Sequence, residues 1–287
     1  MEYHCYLCNH SEYRTLKGSV RDNPNLLIFK CTNCGLVVLS SFEHIKSGHY
    51  ENSGMHGTTP PDISCWSKES EQDDQRRLEM LMPLLVNRRV LDFGCGAAGF
   101  IFKAKDIASE VVGIEIESHV LAHWKDKINL YGCLDDAGGE YDLITAFHVL
   151  EHFTDPRSIL KELVLHLKQN GLLVIEVPNS EDALLTLYDC NDFQHFCYWS
   201  NHLFLFNAET LKSLALQAGL RVISIKQFQR YPLSNHLHWL RHGRPGGHQI
   251  WSFINSPALN EAYESSLAAI GMCDTLIAFL KPMSFGA

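Results

Sequence analysis

Residues 89–100 read R-V-L-D-F-G-C-G-A-A-G-F, and this stretch limits what the chain can fold into more than any other. Val90, Leu91 and Phe93 form a short apolar run of the kind that a strand buried on both faces needs. Gly94 and Gly96 break the run, and a helix-compatible segment at 100–106 follows. A strand, a glycine turn and a helix in this order bring backbone N–H groups close to a ligand. The spacing Asp92-x-Gly94-x-Gly96-x-Ala98 is one glycine short of the dinucleotide fingerprint, so the surroundings must identify the ligand. Glu115 stands 23 positions after Asp92, at the end of a second buried-looking strand at 111–114. A carboxylate at that tip suits a ribose diol, because it can accept hydrogen bonds from two hydroxyls.

The same alternation continues. Strands are expected at 128–133, Tyr141–Phe147, 172–177, 221–227 and 275–279. Helices are expected at 64–87, where Leu78, Leu81, Met82 and Leu85 recur at helical spacing, and around Val120, Leu121 and Trp124. A further helix carries Leu163 and Leu167 and is stopped by Gly171; another carries Leu211, Leu214 and Ala215 and is closed by Gly219. The last spans 258–270. Strands alternating with helices predict an α/β fold, a mostly parallel sheet with helices on both faces. Two stretches interrupt the pattern: 180–206, dense in aromatic and polar side chains, and 228–258, which reads as irregular. In the second, Arg241 and Arg244 beside Pro245-Gly246-Gly247-His248 make a local anion-site candidate.

Ahead of this domain, Cys5-x-x-Cys8 is answered after 22 residues by Cys31-x-x-Cys34. Two such knuckles predict a zinc ribbon, four thiolates around a structural Zn²⁺ with no position left for water. A segment this small needs the metal to make up for its thin core. Within 1–45, Arg14, Lys17, Arg21 and Lys30 are balanced by Glu2, Glu12, Asp22 and Glu43. Four thiolates around Zn²⁺ then leave the ribbon negative, which argues against nucleic acid. The whole chain, at a formal −9, argues the same way. Ten cysteines without a basic-then-apolar leader suggest reduced thiols and a cytoplasmic setting, and no apolar run is long enough to span a membrane.

Strand, glycine turn, helix, second strand and acid, together with Tyr141-Asp-Leu-Ile-Thr-Ala-Phe147-His148-Val-Leu-Glu151-His152, resemble class I S-adenosylmethionine-dependent methyltransferases over roughly residues 75–230. The resemblance implies a Rossmann-like seven-stranded sheet with an antiparallel closing strand and S-adenosylmethionine as cofactor. It implies cofactor contacts at Asp92, Gly94, Gly96, Glu115 and Phe147, with Asp135 on the adenine. It divides the chain into a ribbon (1–45), a linker or lid (46–74, with His49, Tyr50 and His56) and the methyltransferase domain (75–287), whose inserts at about 180–206 and 228–258 cap the substrate. Trp199-Ser200-Asn201-His202 is similar to the Tyr-x-Glu-His motif of sugar C-methyltransferases, which also carry an N-terminal cysteine-rich module. That match offers His202 as general base, with His148 and Tyr198 beside it. Trp199 and Asn201 depart from the motif, and the missing carboxylate favours O- or N-methylation over C–H abstraction. The expected substrate is a small polar molecule, a nucleotide-linked sugar or other carbohydrate precursor. The competing readings are an RNA base methyltransferase with a zinc ribbon and a non-catalytic cofactor-binding scaffold.

Overall fold

The computed structural model describes residues 4–51 and 62–283. Eleven strands run in chain order among these residues: β1 (Tyr13–Thr15), β2 (Ile28–Cys31), β3 (Val37–Leu39), β4 (Arg89–Phe93), β5 (Glu110–Ile114), β6 (Asn129–Tyr131), β7 (Tyr141–Phe147), β8 (Leu167–Pro178), β9 (Phe204–Leu205), β10 (Leu220–Phe228) and β11 (Thr275–Pro282). Seven of them form one sheet in the order β10-β11-β8-β7-β4-β5-β6. β4 pairs in parallel with β5 and β7, β5 with β6, and β7 with β8, while β11 lies antiparallel between β8 and β10. This is the expected methyltransferase-type sheet with its inserted closing strand.

The apolar runs sit in this sheet because neighbouring residues feed opposite faces. Val90, Val111, Leu143, Val174 and Ile277 pack on one side with Leu81 and Leu85 of the helix Ile63–Leu85 and with Phe100 and Ile101 of the helix Gly99–Ala104. Leu91, Val112, Ile144, Leu173 and Leu276 pack on the other with the helices Pro156–Leu165 and Ala208–Gln217.

Three expectations need correction. The helix after β7 ends at Leu165, and Leu167 already pairs with Tyr141 as the start of β8, so Gly171 lies inside a strand. A register shift between Tyr141 and Leu143 absorbs the extra residues. The helix Ile63–Leu85 begins inside the stretch assigned to the linker; Asp62 caps it by accepting from the N–H groups of Ser64 and Cys65. The stretch 228–258 contains the helix Leu233–His242, whose Ser234, Asn235, His236, His238 and Trp239 are buried. Its turn-like residues face inward, where tertiary contacts outweigh their weak helix propensity. Residues 52–61 of the stretch expected as a linker or lid, including His56, lie outside the described residues.

The ribbon is built into the domain. β1, β2 and β3 form an antiparallel sheet that β9, from the 180–206 insert, extends through Val37↔Leu205 and Val38↔Phe204. Cys5, Leu7, Ile28 and Leu36 share one core with Leu203, Phe204 and Phe206. The Phe204 ring lies 5.1 Å from Tyr6 and 5.3 Å from Phe42. Phe204→Ala is expected to cost about 3–5 kcal/mol and to leave one cooperative transition, because the ribbon and the sheet share this ring. Urea unfolding followed by both tryptophan fluorescence and far-UV circular dichroism checks this; two separated transitions in the wild type would show the ribbon to be independent.

Candidate active site

One cavity of 840 Å³ opens beyond the carboxyl ends of β4, β5, β7 and β8, where open α/β sheets hold their ligands. At one end is the glycine turn. The N–H groups of Gly94 and Cys95 donate to the Ile114 carbonyl at 2.9 and 3.0 Å, tying the turn to the tip of β5. Gly94 has φ +71°, and a Cβ there would come within 2.5 Å of Val149. Gly96, at φ +53°, would place one 3.1 Å from the Trp66 ring. Only glycine meets both demands without strain.

Glu115 braces this turn. Its carboxylate accepts from the N–H groups of Gly96 (2.9 Å), Ile116 (2.8 Å) and Glu117 (3.0 Å). Burial raises its pKa, and those N–H groups hold the rise in check. A carboxylate offers about four lone-pair sites, so acceptor capacity is left for hydroxyls. Asp92 lines the cavity, but its carboxylate accepts from the Thr145 hydroxyl on β7 at 2.7 Å, and the turn is held by Glu115 and Ile114. Burial lifts the Asp92 pKa to about 7 against the Thr145 hydrogen bond. Phe147 lines the same end, edge-on to Phe100 at 5.3 Å.

Asp135 does not reach the cavity. Cys133 precedes the short helix Leu134–Ala137, which turns Leu134 inward and Asp135 to solvent. Gly132, Cys133 and Leu134 form that wall.

The other end is aromatic and rich in histidine, with Tyr50, His148, His152, Trp199, His202 and Trp239 among its walls. His148 follows β7 at φ +54°. Its Nε2 is 3.1 Å from Glu176 Oε1 and its Nδ1 3.4 Å from Glu151 Oε1. Burial pulls the imidazole pKa down, but the two carboxylates outweigh it and the net shift is upward. Glu176 also takes Arg76 Nη2 at 2.8 and 2.9 Å and Arg77 Nη2 at 2.8 Å. Asp73 pairs with Arg76 and Arg230. His148 is therefore a member of an ion network rather than a free base. The sequence reading missed this network, although its signal is present: a glutamate between Ile175 and Val177 in a strand buried on both faces demands a cation.

His202 lines the cavity with its ring 5.1 Å from His152 and 5.2 Å from Trp199. Burial, together with the neighbouring His152, lowers its pKa to about 3. Tyr198 is a correction. It caps the helix Asn191–Cys197, and its ring is buried against Gly18 of the ribbon while Trp199 turns to the cavity. Adjacent residues in an extended segment take opposite sides, so the two cannot both line the pocket. Arg241 and Arg244 are exposed and outside the cavity; Pro245 and His248 line it.

The N-terminal module holds the loop that carries His202. His44 Nε2 lies 2.7 Å from the Ser200 carbonyl, and His49 Nε2 lies 2.7 Å from Asn201 Oδ1. Asp22 accepts from the Ser200 N–H and hydroxyl at 3.0 and 2.6 Å. The Tyr50 hydroxyl donates to the His152 carbonyl at 3.0 Å. Within the ribbon, Cys5 and Cys34 sulfurs are 3.5 Å apart and those of Cys8 and Cys31 3.6 Å, with all four sulfurs within 4.8 Å of one another.

The family described as methyltransferase domain matches residues 66–225, more than half of the chain, and the chain belongs to that family. It is 33% identical over 101 residues to the ubiquinone biosynthesis O-methyltransferase of Bradyrhizobium diazoefficiens, covering 32% of this chain and 40% of that protein. The protein of the same name from Rhodopseudomonas palustris is 31% identical over 155 residues, 49% of this chain and 61% of that one. The chain thus spans less than two thirds of the length of either relative. A SAM-dependent methyltransferase from Archaeoglobus fulgidus shares the fold, with a TM-score of 0.51 at 20% identity over 74% of this chain and 93% of that one.

Glu176 generates the stability prediction. Burial works to raise its pKa, but His148, Arg77 and Arg76 hold it well below the usual 4.5. Because the folded pKa lies below the unfolded one, the stabilisation is complete above the unfolded value and drains away as pH falls toward the folded one. Glu176→Gln is expected to cost about 3–5 kcal/mol at neutral pH, since Arg77 and His148 lose their counter-charge, and to flatten the loss of stability below about pH 4.5. Denaturant titrations at a series of pH values measure both effects.

Proposed function

We propose that this chain transfers the methyl group of S-adenosylmethionine to a hydroxyl of a small, uncharged, ring-bearing acceptor. The observation that carries the reading is that one cavity joins the braced glycine turn to the aromatic, histidine-rich chamber. Its 840 Å³ suits a cofactor together with a small acceptor. When bound, the cofactor supplies an electrophilic methyl group on a sulfonium. Glu115 is positioned to accept the ribose hydroxyls, and Gly94 and Gly96 let the cofactor approach the backbone. Trp199 and Trp239 offer flat faces for a ring, which suit a sugar ring as well as a phenolic one. His202 stays neutral across physiological pH and lines the cavity, where it can help to orient the acceptor hydroxyl. The similarity to ubiquinone biosynthesis O-methyltransferases supports oxygen as the methyl acceptor.

A nucleotide-linked sugar is less well served than a free carbohydrate or other neutral ring. A diphosphate wants unpaired cations, and the two arginines that line the cavity, Arg77 and Arg230, are engaged by Glu176 and Asp73. The formal charge of −9 weighs against an RNA base as substrate.

We further infer that residues 1–45 form a zinc ribbon, with Cys5, Cys8, Cys31 and Cys34 holding one structural Zn²⁺. A tetrahedral ion with Zn–S bonds of about 2.3 Å sets sulfurs about 3.8 Å apart, so the cluster needs little adjustment.

Two measurements test these readings. In calorimetry with S-adenosylhomocysteine, the wild type should bind, Glu115→Ala should lose about 1.5–3 kcal/mol, and His202→Ala should bind nearly as the wild type does. Unchanged affinity in the Glu115 variant would remove that carboxylate from the site. Elemental analysis should find zinc that the Cys31→Ser/Cys34→Ser double variant no longer holds in the ribbon.

A further inference from the structure

Glu151 stands apart. It is fully buried, and among the described residues neither carboxylate oxygen has a hydrogen-bond partner. His148 Nδ1, 3.4 Å from its Oε1, approaches without closing a hydrogen bond. A buried, unsatisfied carboxylate is costly and calls for a partner. The histidines beside it are also incompletely used. His152 engages the Asn201 carbonyl through Nδ1 at 2.8 Å, so Nδ1 carries the proton and Nε2 keeps the lone pair. His202 Nδ1 is buried and has no hydrogen-bond partner among the described residues. One donor atom from each of Glu151, His152 and His202 lies within 4.8 Å of the others.

We propose that Glu151, His152 and His202 form a second metal site, for a first-row divalent ion, at the acceptor end of the cavity. The three ligands come from two segments already locked in register. Glu151 and His152 sit on the 3₁₀ turn Leu150–His152 after β7. The Leu203 N–H donates to the Glu151 carbonyl at 2.9 Å, and the His152–Asn201 bond grips the other side of His202. A backbone acceptor that fixes one ring nitrogen is the usual outer support of a metal-binding histidine. Two imidazoles and one carboxylate suit Zn²⁺ or Fe²⁺ and poorly suit Mg²⁺. His148 keeps Glu176 as a partner when Glu151 turns to an ion.

Three protein ligands leave a position open, and His152 and His202 both line the cavity. A hydroxyl oxygen of the acceptor in that position would have its pKa lowered. It would release its proton to water and attack the methyl carbon of S-adenosylmethionine. A C–O bond forms, the C–S bond breaks, and sulfur keeps the electron pair as the thioether of S-adenosylhomocysteine. This role rests on the methyl-transfer reading above; binding of the ion does not.

The test uses full-length protein equilibrated with Co²⁺, with metal per chain measured by elemental analysis and the coordination read from the visible spectrum. The wild type should hold two ions per chain. One should show the sulfur-to-cobalt charge-transfer bands of the ribbon, and the other only the ligand-field bands of a nitrogen and oxygen site. Glu151→Gln and His202→Ala should each lose the second ion, by more than the roughly 10–100-fold that removal of an outer partner costs, while the thiolate bands stay. A wild type with a single ion, bound wholly by thiolate, overturns the site whatever the variants do. Two ions that survive both substitutions overturn it as well. Calorimetry with S-adenosylhomocysteine on the same samples separates the two readings. Cofactor binding with only the ribbon ion defeats the metal site alone. Two ions without cofactor binding defeat the methyl-transfer reading alone.

Discussion

A carboxylate at the centre of the sheet governs how this domain closes. Glu176 lies in β8 between Ile175 and Val177 and is shielded from water. An isolated charge there would be prohibitive, so cations must be brought to it. Arg76 and Arg77 come from the long helix Ile63–Leu85, and His148 comes from the end of β7. The arginines are themselves balanced by Asp73 and Asp74 on the same helix. The helix is thereby pinned across the carboxyl edge of the sheet, with Trp66 against the glycine turn. A buried network of this kind adds little net stability relative to apolar packing. What it specifies is the seating of the helix, and that seating shapes the cofactor end of the cavity.

The ribbon solves a different problem, at the other end. The segment after the helix Asn191–Cys197 has no regular structure until β9, yet Ser200 and Asn201 are buried. Buried irregular backbone needs partners from elsewhere. Asp22 and His44 pair with the Ser200 N–H and carbonyl, His49 holds the Asn201 side chain, and β3 continues the pairing into β9. An N-terminal module that looks like an appendage by composition in this way braces the loop whose Trp199 and His202 line the aromatic end of the cavity. Its cysteine cluster is distant in sequence from His202 but shares a sheet and a core with the loop that presents it.

The parts of the structure legible in the sequence are those set by local chemistry. Alternating residues in β4, β5 and β7 feed two buried faces, so the strands announce themselves. Gly94, Gly96 and Glu115 form their turn and brace within one strand–helix–strand unit, and the four cysteines reveal their grouping by spacing alone. The errors came where distant contacts decide. Asp135 was one position from the wall because a helix starts directly after β6. Tyr198 and Trp199 had similar claims to the pocket until the ribbon took the tyrosine. Leu167 follows helical spacing from Leu163, but pairing with Tyr141 draws it into β8. The helix at Leu233–His242 was hidden by polar and histidine residues that turn inward.

The two halves of the cavity therefore differ in how they are specified, and this bears on what each can tolerate. The cofactor half is assembled from neighbours between Asp92 and Glu117, and its geometry follows from one turn and one carboxylate. The acceptor half draws on Tyr50, the turn at Leu150–His152, the Trp199–His202 loop and the helix Leu233–His242, which meet only in the folded chain. A change in any of these four can reshape the acceptor chamber without disturbing Gly94, Gly96 or Glu115. The likeness to the relatives accordingly speaks for the cofactor half and the fold. The proposed acceptor end is defined by the inward-facing residues of the inserts, with the buried carboxylate of Glu151 close to His152 and His202.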